Sequence, residues 1–149
     1  MRTRQEKHLN ISIRSAAPSD ASAITALLIK LGYQVTATHI KQTLSGSSES
    51  DPVFVATHND TVVGMIALHI ARWIQLEKPI ARIPAMIVYS EFQRRGIGRR
   101  LIDRALDHAR KTGCGVIELT TANDRDDAHA FYRELGFEQT SLRFKRTLP

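Results

Sequence analysis

Residues 88–101 read VYSEFQRRGIGRRL and join an apolar strand pattern to an amphipathic helical pattern through a Gly-x-Gly loop. The first turn of a helix has free backbone N–H groups and partial positive charge. Glycines let such a backbone approach an anion closely. The stretch therefore predicts a phosphate-binding turn, with positive charge added by Arg95, Arg99 and Arg100.

Other interpretations of this loop remain open or are disfavoured by the residues around it. Glycines at a strand–helix junction also serve as plain tight turns, so the spacing alone does not decide between the two. No Gly-Lys-Ser/Thr follows, which excludes the NTPase type of phosphate loop. The third glycine of a dinucleotide-binding fingerprint is missing as well.

Outward from the loop, the chain contains further strand and helix patterns. Apolar runs and alternation predict strands at 11–13, 53–56, 62–70, 80–88, 116–119 and 137–144. Helical spacing predicts helices at 21–31, 36–44, 98–111 and 126–135. Pro84 interrupts a strand pattern and cannot donate to a ladder, so we expect it at an edge or a bulge. The order predicts one mixed α/β domain over residues 1–149, with residues 1–9 as a flexible leader.

The composition of the chain limits the classes of partner that we expect it to bind. The 149 residues carry a net charge of +6, which favours a polyanionic partner such as nucleic acid, an anionic membrane or a phosphorylated cofactor. The aromatic residues are not interleaved with the arginines, so we expect no nucleic-acid partner. We find no signal segment or membrane span, and expect a cytoplasmic protein without a membrane partner.

The cysteine and histidine residues give no sign of a catalytic thiol or a metal site. Cys114 is the one cysteine, and we expect it to be a small residue packed in the fold. The histidine spacings match no metal-ligand motif, so we expect no metal cofactor.

Two motifs resemble one known family. Residues 93–98, QRRGIG, resemble the Gln/Arg-x-x-Gly-x-Gly/Ala signature of the GNAT N-acetyltransferases, and residues 85–88 fall where that family has its fourth strand. Residues 128–137, AHAFYRELGF, resemble the closing helix of the same family, and the element order agrees over residues 11–146. The resemblance implies an α/β fold with a mostly antiparallel mixed sheet, splayed between strands 4 and 5 and flanked by helices.

The resemblance also implies an activity. Acetyl-CoA is the implied acyl donor, and a primary amine of a small molecule or protein attacks the thioester directly. The backbone N–H of Val88 is the implied oxyanion donor, and Tyr132 the implied proton donor to the leaving sulfur. Arg125 competes with Asn123 for one contact to the CoA arm. The implied cofactor-binding residues are Met86, Ile87, Val88, Gln93, Arg94, Arg95, Gly96, Ile97, Gly98, Arg99, Arg100, Asn123 and Tyr132.

One departure from the family leaves the general base open. Many relatives carry a glutamate two residues before the position of Met86, where this chain has Pro84. Glu118, Glu91, a water or no base at all are the alternatives. The missing glutamate also keeps open a catalytically weak acyl-CoA-binding regulatory module.

The acceptor is not specified by the sequence. Residues 31–33 and 73–77 are candidates for an acceptor pocket or, for the second segment, a dimer contact, and simple surface packing is an equal alternative for both. A homodimer is expected only because similar proteins commonly form one.

Overall fold

The computed structural model describes residues 9–46, 48–121 and 125–149. The chain divides into two compact units, Met1–Leu119 and Thr120–Pro149. Each unit is described on its own below.

The described part of the first unit is a five-stranded sheet with helices. Its strands, in spatial as well as chain order, are β1 (Ile11–Ser15), β2 (Val53–His58), β3 (Thr61–Ala71), β4 (Ile80–Val88) and β5 (Val116–Leu119). Its helices are α1 (Ala21–Lys30), α2 (Ala37–Ser45) and α3 (Ile97–Lys111). Neighbouring strands are antiparallel except for β4 and β5, which are parallel. This confirms the mixed, mostly antiparallel sheet.

Helix α3 holds the glycine loop in place. Its apolar stripe is buried where it packs on β2, β3 and β4. The buried members are Ile97, Leu101, Ile102, Ala105 and Ala109. Full burial of one such Leu or Ile side chain stabilises the fold by about 1.5–3 kcal/mol. The stripe starts at the first residue of the helix, so the loop before it is anchored to the core.

Strand β4 contains a bulge at Pro84. Ala67 of β3 lies opposite Ala85, whereas His69 lies opposite Arg82, so two β4 residues face one residue of β3. This confirms the position expected for Pro84, because a bulge needs no ladder donor. Pairing between β4 and β5 stops at Ile83, one residue before the proline. Among the described residues, the last part of β4 therefore pairs with β3 alone.

The second unit contains α4 (Asp126–Glu134) and no strand among its described residues. The strand predicted at 137–144 is therefore wrong. Leu142 and Phe144 alternate as the prediction required, but both side chains are largely exposed. Alternation describes a half-buried surface, and it makes a strand only where a neighbouring strand accepts its hydrogen bonds. No helix in the described part of the chain is long and apolar enough to cross a bilayer.

Candidate functional site

The end of β4 presents backbone groups on its open side. The N–H of Tyr89 donates to the carbonyl of Val63 on β3, at 2.9 Å. Antiparallel pairs alternate between bonded and non-bonded, so the N–H and carbonyl of Val88 turn away from β3, as do those of Met86. The carbonyl of Val88 accepts a hydrogen bond from Nε2 of Gln93, at 3.1 Å, which fits this orientation. The N–H groups of Met86 and Val88 are thus directed to the edge that β5 leaves free.

The glycine loop ends at the N-cap of α3. Gly96 occupies this position with φ of 79°, and no side chain caps the helix. A Cβ at Gly96 would meet no atom within 4 Å, so the backbone angle requires glycine here and the space beside it is open. The first hydrogen bond of the helix runs from the N–H of Arg100 to the carbonyl of Gly96. The N–H groups of the residues just before Arg100 have no carbonyl partner within the helix.

The arginine cluster has two different roles in the structure. The side chains of Arg94, Arg95 and Arg99 are exposed around the loop. Arg100 instead donates from Nη1 to the carbonyl of Ile11, at 2.8 Å, and ties α3 to β1. Three exposed arginines therefore belong to the loop and the first turn of α3, while the fourth supports the fold.

Two predicted cofactor residues are engaged with the protein itself. Ile97 is 1% exposed, so only its backbone is available to a ligand. The side-chain amide of Gln93 donates its hydrogen bond to the carbonyl of Val88, and this bond fixes the loop against the end of β4. The signature glutamine is therefore a positioning residue in this chain.

The candidate general bases differ in their surroundings. Glu118 lies opposite Arg82 in the β4–β5 register, and its Oε1 is 3.1 Å from the arginine Nε. That ion pair lies on the paired part of β4, before the bulge. Glu91 is exposed in the 3-10 turn Ser90–Phe92. Among these residues, Glu118 has a clear structural role.

Tyr132 belongs to α4 of the second unit. Its ring packs edge-on against those of Phe131 and Phe137, at centroid distances of 5.2 and 5.7 Å. Burial raises the pKa of its phenol, and the positive charge of Arg125 opposes that shift. The phenol is therefore protonated at neutral pH, which a proton donor requires. Asn123, the other cofactor residue predicted near this helix, lies outside the described residues.

A cavity of about 640 Å³ opens between α1 and α2. It is lined by Ile29, Tyr33, Gln34, Val35, Thr36 and His39. The sequence indicated only Tyr33 of this set, through the break between two helical patterns. Val35 packs against the same core cluster as Ile87 and Tyr89, which connects the cavity wall to the end of β4. The other candidate segment, 73–77, is an exposed loop between β3 and β4 in which Ile74 is fully exposed.

Residues 27–137 of the chain match the acetyltransferase (GNAT) family. The chain belongs to the GNAT family. Its matched region contains α2, the whole sheet from β2 onward, the glycine loop and the described part of α4. Membership agrees with the sheet order and with the loop at the start of α3.

Named relatives of this GNAT chain are N-acetyltransferases. It is 29% identical to the aminoalkylphosphonate N-acetyltransferase of Salmonella typhimurium over 151 aligned positions, which cover 99% of this chain and 98% of that protein.

Solved structures show the same fold. An aminoglycoside acetyltransferase from a soil metagenome, in complex with sisomicin, is 23% identical with a TM-score of 0.79, covering 93% of this chain and 97% of its own. Glucosamine-6-phosphate N-acetyltransferase from Arabidopsis thaliana is 17% identical with a TM-score of 0.81, covering 94% and 99%. The family and its named relatives make the chain an acyltransferase, which argues against a purely regulatory binding module.

Proposed function

We propose that this protein transfers the acetyl group of acetyl-CoA to the primary amine of a small molecule. One observation carries the proposal: the end of β4, which β5 leaves free on one side, is joined by the loop of residues 89–96 to the uncapped first turn of α3. An amide-bearing arm can pair with the strand edge, and a diphosphate can bind at the helix start. Both features lie in the first unit.

The residues present fit an acyl-CoA thioester. The two outward N–H groups, of Met86 and Val88, can donate to one carbonyl oxygen of the pantetheine arm and to the oxygen of its thioester, as to an added strand. Open space at Gly96 and the free N–H groups after it fit the diphosphate. Arg94, Arg95 and Arg99 supply the matching positive charge. The bound thioester supplies the acetyl group and a leaving thiolate.

The chain's own groups assist the transfer in two places. We assign the N–H of Val88 to the thioester oxygen, where negative charge develops as the amine attacks. Such a fixed donor is worth about 10²–10³ in rate. We assign proton donation to Tyr132, by the likeness of its helix to the closing helix of the family. The amine nitrogen bonds to the carbonyl carbon, the C–S bond breaks, and the phenol gives its proton to the sulfur. With Pro84 in place of a carboxylate, the proton of the amine leaves to water, and water returns a proton to the phenolate of Tyr132.

The cavity between α1 and α2 is proposed as the acceptor site, because family members bind acceptors between these helices. Aminoalkylphosphonates and aminoglycosides, after which two relatives are named, are the first amines to assay. A cytoplasmic location and a homodimer stay predictions.

The proposal is tested by calorimetric titration of the protein with acetyl-CoA. Gly96→Glu places a carboxylate at the proposed diphosphate site and is expected to abolish binding. Gly113→Glu is the matched control, because Gly113 ends α3 with φ of 78° and open space, close to the values at Gly96. The two variants share the same backbone strain, so only charge at the loop separates them. Absence of acetyl-CoA binding to the unaltered protein, or equal loss in both variants, would contradict the proposal.

A further inference from the structure

The two helices that frame the proposed acceptor cavity carry no acidic residue. Residues 21–45 span α1, α2 and their connection, and they contain Lys30, Lys41 and His39 but no Asp or Glu. The carboxylate just before this segment, Asp20, is held by the guanidinium of Arg14 through hydrogen bonds of 2.7 and 2.9 Å. Neutral polar groups of Tyr33, Gln34 and Thr36, together with the imidazole of His39, complete the wall. The described lining residues therefore offer an acceptor no carboxylate, and Lys30 directly follows the lining residue Ile29.

Lys30 places a positive charge beside the end of β4. Its Nζ lies 5.3 Å from the centroid of the Tyr89 ring. Tyr89 directly follows Val88, the residue assigned to the thioester oxygen. Lys30 thus brings a positive charge to the ring of the residue that follows β4, from the same last turn of α1 that supplies Ile29 to the cavity wall.

We infer that the acceptor is a small amine that also carries an anionic group, and that Lys30 selects it. The inference rests on the proposed transfer to an amine. Phosphate, phosphonate, sulfonate and carboxylate share the chemistry that a lysine ammonium recognises. A second ammonium group on the acceptor finds no carboxylate among the described residues that line the cavity, and it is repelled by Lys30. Polycationic amines are thus poor acceptors, although the fold is shared with an enzyme crystallised with one.

The inference is tested with two-carbon amines that differ only in their terminal group. The series is phosphoethanolamine, taurine, ethanolamine and ethylenediamine, assayed by release of CoA from acetyl-CoA. We expect kcat/KM to be about tenfold higher for the phosphate and sulfonate than for the hydroxyl and ammonium compounds, as for a charge-assisted contact. An equal or greater rate with ethylenediamine would overturn the inference.

Two charge-reversal variants then locate the selecting residue. Lys30→Glu is expected to lower kcat/KM for phosphoethanolamine about tenfold and to raise it for ethylenediamine. Lys41→Glu is the control, since it makes the same charge change on α2 but lines a different cavity with Pro18, Ser19 and Thr38. We expect it to leave the ratio of the two rates unchanged. Equal effects of the two variants would assign the preference to net charge and refute a role for Lys30.

The two proposals fail in different ways. If the unaltered protein does not bind acetyl-CoA, the proposed function fails and the inference fails with it. If it binds acetyl-CoA but acetylates neither phosphoethanolamine nor taurine, the inference alone is wrong. If all four are acetylated without a charge preference, the transfer stands and the inference alone is wrong. Acetyl-CoA titration of both lysine variants shows whether they are folded, because neither residue is in the proposed cofactor site.

Discussion

The two halves of β4 differ in what their backbone does. Residues 80–83 lie between β3 and β5 and are tied further by the ion pair between Arg82 and Glu118. Residues 84–88 have β3 on one side and, among the described residues, no strand on the other. Pro84 is the divider, because it lacks the N–H that continued pairing needs. One strand thus serves as scaffold in its first half and presents in its second half the free edge at which we propose that the acyl-CoA arm binds.

The largest expected effect comes from removing the N–H of Val88. Val88→Pro deletes a donor that faces the open edge and leaves the hydrogen bonds to β3 in place. We expect turnover to fall about 100-fold. Val88→Ala is the control, because it trims the same buried side chain and keeps the N–H. Steady-state acetylation rates compare the two, and equal losses would mean that packing, and not the N–H, is responsible.

Substitutions at Arg99 and Arg100 on α3 test separately which arginine contributes to acetyl-CoA binding and which to the stability of the fold. Arg99→Ala removes an exposed charge beside the loop and should weaken acetyl-CoA affinity about tenfold. Arg100→Ala removes the hydrogen bond to Ile11 and should instead lower the free energy of unfolding by about 1 kcal/mol. Calorimetry and urea denaturation on both variants separate the two quantities. A reversed pattern would place Arg100 at the cofactor.

The smallest effect is expected in the paired half. Glu118→Gln removes the charge of a pair whose two side chains are about 40% exposed, so it should cost less than about 1 kcal/mol of unfolding free energy. We expect turnover and its pH profile to remain unchanged. A loss of ten-fold or more, with a shifted acidic limb, would instead identify Glu118 as the general base.

Most elements of the fold could be predicted because their patterns are local. Helix α3 has a strong apolar stripe, and β4 was predicted with the bounds that the structure shows, including the irregularity at Pro84. The segment 137–144 shows the limit of this approach. Its alternation is real, but strand formation depends on a partner that no local pattern supplies.

The candidate site was predictable only in part, for the same reason. The loop and its glycines follow from the Gly-x-Gly spacing at a strand–helix junction. The contacts of Arg100 with Ile11 and of Gln93 with Val88 depend on tertiary structure and could not be read from spacing. The cavity wall beyond Tyr33 was missed for a similar reason, since Ile29 and His39 come together only when α1 and α2 pack side by side.

The burial of Ile97 at the first turn of α3 has a consequence for how ligand binding affects stability. Because this side chain is embedded in the core, the turn cannot fray without local loss of packing, and its amide hydrogens should exchange only with larger openings. A ligand held there stabilises the unit by mass action, by about 2.7 kcal/mol at a concentration 100 times its Kd. The melting temperature then reports occupancy of the loop, and CoA analogues can be ranked by thermal shift without an acceptor.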